Sequence, residues 1–346
     1  MSDPSVHGGR TGPSVVALGG GHGLAASLQA LRRVTDSLTA VVTVADDGGS
    51  SGRLRRELGV LPPGDLRMAL AALCGDDEWG QTWSRVAQHR FRSAGELHDH
   101  AVGNLLIVAL WELLGDSVAG LDWVARLLGA HGRVLPMSVV PLDIEAVMAV
   151  DQPVIGDQAA GSDTVLTTVR GQVAVATAPG RVVHVGLVPD RPPACSEAVA
   201  AVRDADWVVL GPGSWFTSVI PHLLVPELAE ALCTTNARRA VVLNLSPQAD
   251  ETADFSPETH LEVLARHAPD LRLDAVLADT AAVPEPDRLR DVAAELGADL
   301  HLGDLARGGV TVQHDPDRLA AAFADLFQRT DRPTHDRRDR LPSDRM

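Results

Sequence analysis

Two short apolar runs near the start of the chain each end in a loop of glycines and small polar residues. The run at residues 15–18 leads into Gly19, Gly20, Gly21, His22 and Gly23. The run at residues 41–44 leads, after Ala45, into Asp46, Asp47, Gly48, Gly49, Ser50, Ser51, Gly52 and Arg53. A strand that ends in glycines just before a helix leaves backbone N–H groups unpaired, and the helix dipole there favours an anion. Both loops therefore predict contacts to a phosphate group, although the glycines of the first loop also suit a purely structural tight turn.

The second loop adds side chains with a different chemistry. The carboxylates of Asp46 and Asp47 suit a ribose, a base edge or Mg²⁺, whereas the guanidinium of Arg53 suits phosphate. The simpler interpretation is an Asx turn followed by a serine N-cap, with both carboxylates solvated. Further along, Asp65 is expected to cap a helix while Arg67 projects toward the same crevice. Together these groups favour a nucleotide as the ligand.

Three later segments place polar groups beside predicted strands and helices. They contribute, in chain order, His100 and Asn104, then Gly211, Gly213, Ser214 and Thr217, and finally Asn244, Gln248, Glu251 and Thr252. The loop at 211–218 is a second phosphate-type loop, and two such loops from separate halves of one sheet define a crevice. His98, Asp99 and His100 could also indicate a metal site, but two histidines two residues apart on a helix point in different directions.

The composition limits the classes of ligand that the protein is expected to bind and indicates its cellular compartment. The chain has 346 residues, 45% of them hydrophobic, which is enough for one large domain or two smaller ones. Its net charge of −16 argues against a nonspecific nucleic-acid-binding protein. The lack of lysine and tyrosine excludes a Schiff base, a P-loop lysine and a tyrosine general acid. Three well-separated cysteines and the lack of an apolar run of about 20 residues predict a cytoplasmic protein without a membrane span.

Alternating apolar runs and helical patterns predict an α/β fold with a Rossmann-like, doubly wound, mostly parallel sheet. Its strands are expected at residues 15–18, 40–44, 207–210, 240–245 and 273–277, and helices at 24–33, 51–58, 102–114 and 118–128. Pieces at 134–140, 145–150, 165–170, 172–176 and 181–187 predict a small antiparallel β insertion within residues 133–188. A single domain is expected over residues 14–328, between disordered ends at residues 1–13 and 329–346.

In this order, the loops resemble those of the CofD/YvcK family, and within it the YvcK-like, gluconeogenesis-factor-like branch. The motifs that carry the resemblance are VALGGGHGL at 16–24, VTVADDGGSSGRLRRELG at 42–59, PPGDLR at 62–67, HxxGNLL at 100–106, GPGSWFTSVIPxLLVP at 211–226 and QADET at 248–252. With their flanking elements they span about residues 14 to 325. Their occurrence together and in this order is far more specific than any single glycine loop.

The resemblance implies a Rossmann-like protein that binds UDP sugars such as UDP-N-acetylglucosamine. It implies a role in regulating cell-wall precursor supply, growth on gluconeogenic carbon and cell shape, without established catalysis. The CofD branch is similar in fold, but its members join a phospholactyl group to the deazaflavin Fo with Mg²⁺ in coenzyme F420 synthesis. Asp47 falls where that branch has an acid that contacts Fo. The chain departs from the family at His22, where threonine is common, and at Phe255, near which the family has an aromatic hydroxyl.

We therefore expect a regulator that binds a nucleotide sugar, requires no cofactor, is read by a protein partner and forms a homo-oligomer. The alternative is a phospholactyl-type transferase that uses Asp46 and Asp47 to hold Mg²⁺. Redox chemistry with NAD(P) is a weaker third possibility, because no proton donor is evident in the second half of the chain. The ligand-binding residues are expected to be Gly19, Gly20, Gly21, His22, Gly23, Asp46, Asp47, Gly48, Gly49, Ser50, Ser51, Arg53, Asp65, Arg67, His100, Asn104, Gly211, Gly213, Ser214, Thr217, Asn244, Gln248, Glu251 and Thr252.

Overall fold

A computed structural model describes residues 12–153, 162–246, 252, 255–308 and 313–330. The strands are β1 Val15–Gly19, β2 Leu38–Val42, β3 Arg133–Pro136, β4 Asp143–Pro153, β5 Ser162–Arg170, β6 Arg181–Val188, β7 Trp207–Leu210, β8 Arg238–Val242, β9 Ala275–Asp279, β10 Asp299–Gly303, β11 Ala306–Arg307 and β12 Gln313–His314. The α-helices are α1 Gly21–Leu31, α2 Gly49–Leu58, α3 Gly64–Ala72, α4 Glu78–Gln88, α5 Val102–Leu114, α6 Ser117–Leu128, α7 Gln172–Thr177, α8 Ser196–Asp204, α9 Pro221–Leu224, α10 Pro226–Thr234, α11 Pro257–His267, α12 Pro286–Glu295 and α13 Pro316–Thr330. A π-helical turn spans Trp215–Val219, and a 3₁₀ turn spans Thr280–Ala282.

The main sheet has seven parallel strands in the order β10-β9-β8-β7-β1-β2-β3. From β1, the strands β2 and β3 follow toward one edge of the sheet, and β7, β8, β9 and β10 follow toward the other edge. Val15 of β1 is therefore opposite Leu38 on one side and Trp207 on the other. The predicted doubly wound α/β sheet is confirmed, and its switch point lies between β1 and β7.

Side chains on both faces of the central strands are buried, as the short apolar runs predict. All five residues of β1 and all four of β7 are buried, and helices flank the sheet. The predicted strand at 207–210 has the observed bounds, whereas the strands predicted at 240–245 and 273–277 are displaced by about two residues. Helices α5 and α6 agree with the predicted helical pair to within one residue.

The antiparallel insertion is smaller than predicted. β4, β5 and β6 form a three-stranded sheet in the order β5-β4-β6. The piece predicted at 134–140 is instead β3, which pairs in parallel with β2 at the edge of the main sheet. The piece predicted as a strand at 172–176 is the helix α7. Its alternating Val and Ala residues fit either structure, and a turn at Gly171, with φ of 104°, starts the helix.

Helix α13 extends two residues into the predicted disordered tail, because it ends at Thr330. The prediction of disorder for residues 331–346 and 1–11 lies outside the described residues. Within the described part of the chain, no helix is long and apolar enough to cross a membrane.

Candidate functional site

The two predicted phosphate loops meet at the carboxyl ends of β1 and β7. α1 begins at Gly21 directly after β1, and its N-cap, Gly20, contributes no capping side chain. A Cβ on Gly23 would lie 2.6 Å from the Cα of Gly213 and closer still to the carbonyl oxygen of Pro212. Only glycine permits this approach, so the first turn of α1 and the 211–213 turn lie backbone against backbone. The first-turn N–H groups of α1 have no acceptor within their own helix.

Hydrogen bonds from neighbouring elements fix the 211–214 turn. The N–H of Gly211 donates to the carbonyl of Leu18 at 3.1 Å, and the Ser27 hydroxyl donates to the carbonyl of Gly211 at 2.9 Å. The Asn244 amide pairs reciprocally with Gly213, since its Oδ1 accepts from the Gly213 N–H and its Nδ2 donates to the Gly213 carbonyl, each at 2.9 Å. Asn244 is thus a positioning residue for this turn.

Hydroxyl groups hold the π-helical turn that follows. Ser214 caps this turn, because its Oγ accepts from the Thr217 N–H at 3.2 Å, and the two hydroxyls are also hydrogen-bonded. Thr217 is buried. These side chains shape the loop, and their predicted contact with a ligand stays a prediction.

A crevice of about 410 Å³ opens beside these two loops. Its lining includes His22, Gly23, Gly213 and Asn244 from the predicted set. It also includes residues that the sequence reasoning missed: Gln29, Leu245, Ser246, Arg307, Gln313, His314 and Pro316. Arg307 and His314 come from the β11–β12 ribbon that follows β10. The sequence offered no signal for them, because β10 was not among the predicted strands and β11 and β12 have only two residues each.

Asp65 is held against the start of α1 rather than capping its own helix. Helix α3 has no side-chain N-cap, whereas the Asp65 carboxylate accepts from the Gly21 N–H and, at 3.1 Å, from the Thr43 hydroxyl. The predicted cap is therefore wrong. A Cβ on Gly20 would lie 2.6 Å from this carboxylate, which explains the glycine there. Burial, reinforced by the charge of Asp46, raises the pKa of Asp65 to about 6.

Asp46 forms the predicted Asx turn and also joins α2 to α3. Its Oδ1 accepts from the Gly48 N–H at 2.9 Å. The Ser51 hydroxyl donates to Asp46 and accepts from the Gly64 N–H at 2.7 Å. Burial raises the pKa of Asp46 above its usual value, and the hydrogen bonds only partly oppose this. Ser51 is thus engaged within the protein.

The rest of the second loop faces two different neighbours. Asp47 accepts from the Val173 N–H of α7 at 3.0 Å, so this carboxylate holds the insertion against the loop. Arg53 donates to the carbonyl of His98 at 2.7 Å and therefore braces the 93–99 loop. Gly49 is exposed at the start of α2, which has neither a side-chain cap nor an acidic residue in its first turn.

A buried chain of hydrogen bonds connects α3, α5 and α2. Arg67 Nε donates to Asn104 Oδ1 at 2.9 Å, and Asn104 Nδ2 donates to Ser50 Oγ at 3.1 Å. The Ala101 N–H also donates to Ser50 Oγ, at 3.3 Å. Since this oxygen accepts from two donors, its own proton is left for the Nδ1 of His100, which lies 3.1 Å away. The neutral imidazole of His100 then carries its proton on Nε2.

Electrostatics support this assignment of His100. Burial, followed by the charge of Arg53, lowers its pKa, so that the neutral ring is favoured at neutral pH. Burial lowers the pKa of Arg67 to about 10, which leaves it cationic beside Asp65 and Asp46. Sequence reasoning found the members of this network but not the network itself.

Two predicted ligand-binding residues, Gln248 and Glu251, lie outside the described residues. Thr252 is buried, and its carbonyl accepts from the Phe255 N–H at 2.9 Å. The predicted Gly19 is buried as the last residue of β1. Among the residues described, no three His, Cys, Asp or Glu side chains are grouped so that they could hold a metal ion.

Comparison with known proteins identifies relatives along most of the chain. Residues 15–320 match the family model described as 2-phospho-L-lactate transferase CofD. A putative gluconeogenesis factor of Mycobacterium tuberculosis is 56% identical over 312 residues, which cover 89% of each chain. The gluconeogenesis factor of Bacillus subtilis is 30% identical over 330 residues, which are 91% of this chain and 98% of the relative. A crystal structure of a UPF0052 family member from Bacillus halodurans matches with a TM-score of 0.78 at 31% identity, covering 91% of this chain and 99% of the other.

Proposed function

This chain belongs to the CofD family, and on that premise we propose that it is a regulatory protein that binds a nucleotide sugar of the UDP-N-acetylglucosamine type. Its relatives carry the name gluconeogenesis factor, which fits a regulatory role. The observation that carries the proposal is the backbone contact between Gly23 and the 212–213 turn at the switch point of the sheet. That contact joins two sets of backbone groups at one crevice, which is the arrangement that a diphosphate requires.

The charges at the start of α1 are mixed. The first turn of α1 contains no acidic side chain of its own, so its dipole favours an anion, whereas the buried Asp65 carboxylate that accepts from the Gly21 N–H opposes one. Arg307 also lines the crevice and supplies a positive charge, with its Nε 3.9 Å from the carboxylate of Asp315. The volume of about 410 Å³ falls within the range of about 300–1,000 Å³ typical of small-molecule sites. In this proposal the diphosphate lies against Gly23 and Gly213.

The hydroxyl groups of the ribose or the sugar are assigned to the aspartate loop. Asp46 and Asp47 each use one carboxylate oxygen in a backbone hydrogen bond, to Gly48 and Val173. Asp46 also accepts from the Ser51 hydroxyl, so in this proposal a ligand hydroxyl donates to the carboxylate oxygen of Asp47 that does not accept from Val173.

The second candidate is a transferase of a phosphorus-containing group, favoured by the family match and by these same carboxylates. Two carboxylates together with substrate phosphates are a common ligand set for Mg²⁺. Asp46 and Asp47 would hold the metal, which would neutralise charge on the phosphate. Turnover and a metal requirement distinguish this candidate from a regulator.

Calorimetric titration with UDP-N-acetylglucosamine, with and without Mg²⁺, followed by recovery of the ligand, tests the proposal. Micromolar binding without metal and an intact ligand are expected. The Asn244→Ala variant removes both hydrogen bonds to Gly213 and is expected to weaken binding at least about tenfold. Asn236→Ala is the matched control, because Asn236 is exposed in the loop before β8, at the opposite end of that strand. Lack of binding, or consumption of the ligand, would overturn the regulatory proposal.

A further inference from the structure

A buried carboxylate at the end of β9 holds the start of the β11–β12 ribbon. Asp279 is the last residue of β9 and is 3% exposed. Its Oδ2 accepts from the N–H groups of Leu305 and Ala306, at 2.7 and 3.0 Å, and its Oδ1 accepts from the Ala281 N–H at 2.9 Å. An ionised carboxylate has acceptors only, so it matches these three donors. The loop after β10 is therefore fixed by a side chain of the neighbouring strand.

The ribbon begins at this attachment and places Arg307 at the crevice. Ala306 and Arg307 form β11, and Arg307 lines the crevice. Among the described residues that line it, Arg307 is the only arginine, and the chain contains no lysine. Burial lowers the pKa of another lining residue, His314, to about 4, so that its imidazole is neutral at neutral pH. The crevice therefore depends on Arg307 for its permanent positive charge.

The contacts of the Arg307 side chain fix this charge only loosely. The side chain is 63% exposed, and its Nε lies 3.9 Å from the Asp315 carboxylate, so this ion pair is weak. The place of the guanidinium is set instead by the backbone of β11, where Asp279 binds the N–H of the preceding residue, Ala306. Strand β12 has an attachment of its own, because the His314 imidazole is hydrogen-bonded to the backbone of Leu243.

We propose that Asp279 is a positioning residue for ligand binding, because it holds the backbone of β11 where the Arg307 guanidinium meets a phosphate of the ligand. This inference rests on the proposed function, since it takes the crevice as the site of a nucleotide sugar. An asparagine in place of Asp279 retains one acceptor oxygen, and its NH₂ group opposes the remaining N–H donors. Since His314 still attaches β12, Asp279→Asn is expected to shift the ribbon without releasing it.

Calorimetric titration with UDP-N-acetylglucosamine in a double-mutant cycle tests this role. Asp279→Asn and Arg307→Ala are each expected to weaken binding about tenfold, and the double variant is expected to bind no more weakly than Arg307→Ala. Asp274→Asn is the matched control, because Asp274 lies just before β9, at the opposite end of that strand, and also accepts from a backbone N–H, that of Arg239 at 2.9 Å. It is expected to bind like the wild type. Equal losses from Asp279→Asn in both backgrounds, or no loss in the wild-type background, would overturn the proposal.

Amide hydrogen exchange gives a second measurement, which needs no ligand and begins with the wild type. The amides of Leu305 and Ala306 are expected to exchange at least about a hundredfold more slowly than in an unstructured chain, because they donate to a buried carboxylate. Asp279→Asn is expected to remove most of this protection, whereas Asp274→Asn retains it. Fast exchange at both amides of the wild type would contradict the attachment and the proposal with it. Slow exchange in a wild type that does not bind UDP-N-acetylglucosamine would instead overturn the proposed function, and with it the role of Asp279 in binding, while the attachment itself would stand.

Discussion

Replacing Asp65 by asparagine removes the most strongly perturbed carboxylate at the start of α1. Asp65 is buried, and its pKa is raised from a usual 3.8 to about 6, mainly by burial. The folded state therefore binds this proton more tightly than the unfolded state does. The contribution to stability is complete below about pH 4 and is lost as the pH rises through 6. From pH values well below 4 to values well above 6, the ionisation of Asp65 lowers the free energy of unfolding by about 3 kcal/mol.

The variant isolates this contribution. An asparagine Oδ1 can accept from the Gly21 N–H, and its Nδ2 can donate to the Thr43 hydroxyl, so the local hydrogen bonds are retained. Between about pH 5 and pH 8, linkage predicts that the wild type loses ~1.4 kcal/mol relative to Asp65→Asn. Any fixed cost of burying the amide cancels in this comparison between two pH values.

Urea unfolding of both proteins at the two pH values measures this difference. The exposed Asp291→Asn serves as the control for removal of one carboxylate and is expected to follow the wild type. A constant difference between wild type and Asp65→Asn at both pH values would refute the assignment. Titration with UDP-N-acetylglucosamine at about pH 8 provides a second readout. There, the neutral amide beside Gly21 should strengthen binding of an anionic ligand, because a negative charge near the phosphate is removed.

Three further substitutions test the other parts of the site. Gly23→Ala is expected to lower the free energy of unfolding by about 1–3 kcal/mol and to abolish ligand binding, because the new Cβ atom would collide with Pro212. An unchanged Tm in calorimetry would contradict the close approach of the two loops. Ser50→Ala removes the hydroxyl that donates to Nδ1 of His100, so the ring proton is expected to move from Nε2 to Nδ1, which ¹⁵N NMR of the ring detects. A wild-type ring that already carries its proton on Nδ1 would contradict the assigned hydrogen bond. Asp47→Ala is expected to weaken binding of UDP-N-acetylglucosamine about tenfold in calorimetry, with the fold retained, and unchanged affinity would remove this carboxylate from the site.

Features that depend on local sequence were predictable. The strands at the centre of the sheet are short runs that are apolar on both faces, and Gly59, in the left-handed conformation, ends α2 as a glycine commonly does. The glycines after β1 and β7 predicted that two loops meet at the crevice, and of these Gly20 and Gly23 leave no room for a Cβ atom.

Features that depend on contacts distant in sequence were not predictable. Asp65 is close in sequence to the start of α3, yet it binds α1, because the neighbouring ends of β1 and β2 bring Gly21 and Thr43 to it. α7 was predicted as a strand, since its alternation of Val and Ala does not reveal that Asp47 accepts from its first turn. The part of the crevice formed by β11 and β12 was not predicted, because a strand of two residues is too short to show an alternation of apolar and polar side chains.

The contact of Asp47 with α7 connects the aspartate loop after β2 to the antiparallel insertion. A second connection is ionic: Asp143 at the start of β4 accepts from Arg55 of α2 at 2.6 Å and from Arg170 of β5 at 2.7 Å. Thermodynamic reciprocity then applies to the two ends of this connection. If a ligand at the aspartate loop shifts how the insertion docks, the factor by which the ligand strengthens docking must equal the factor by which docking strengthens ligand binding.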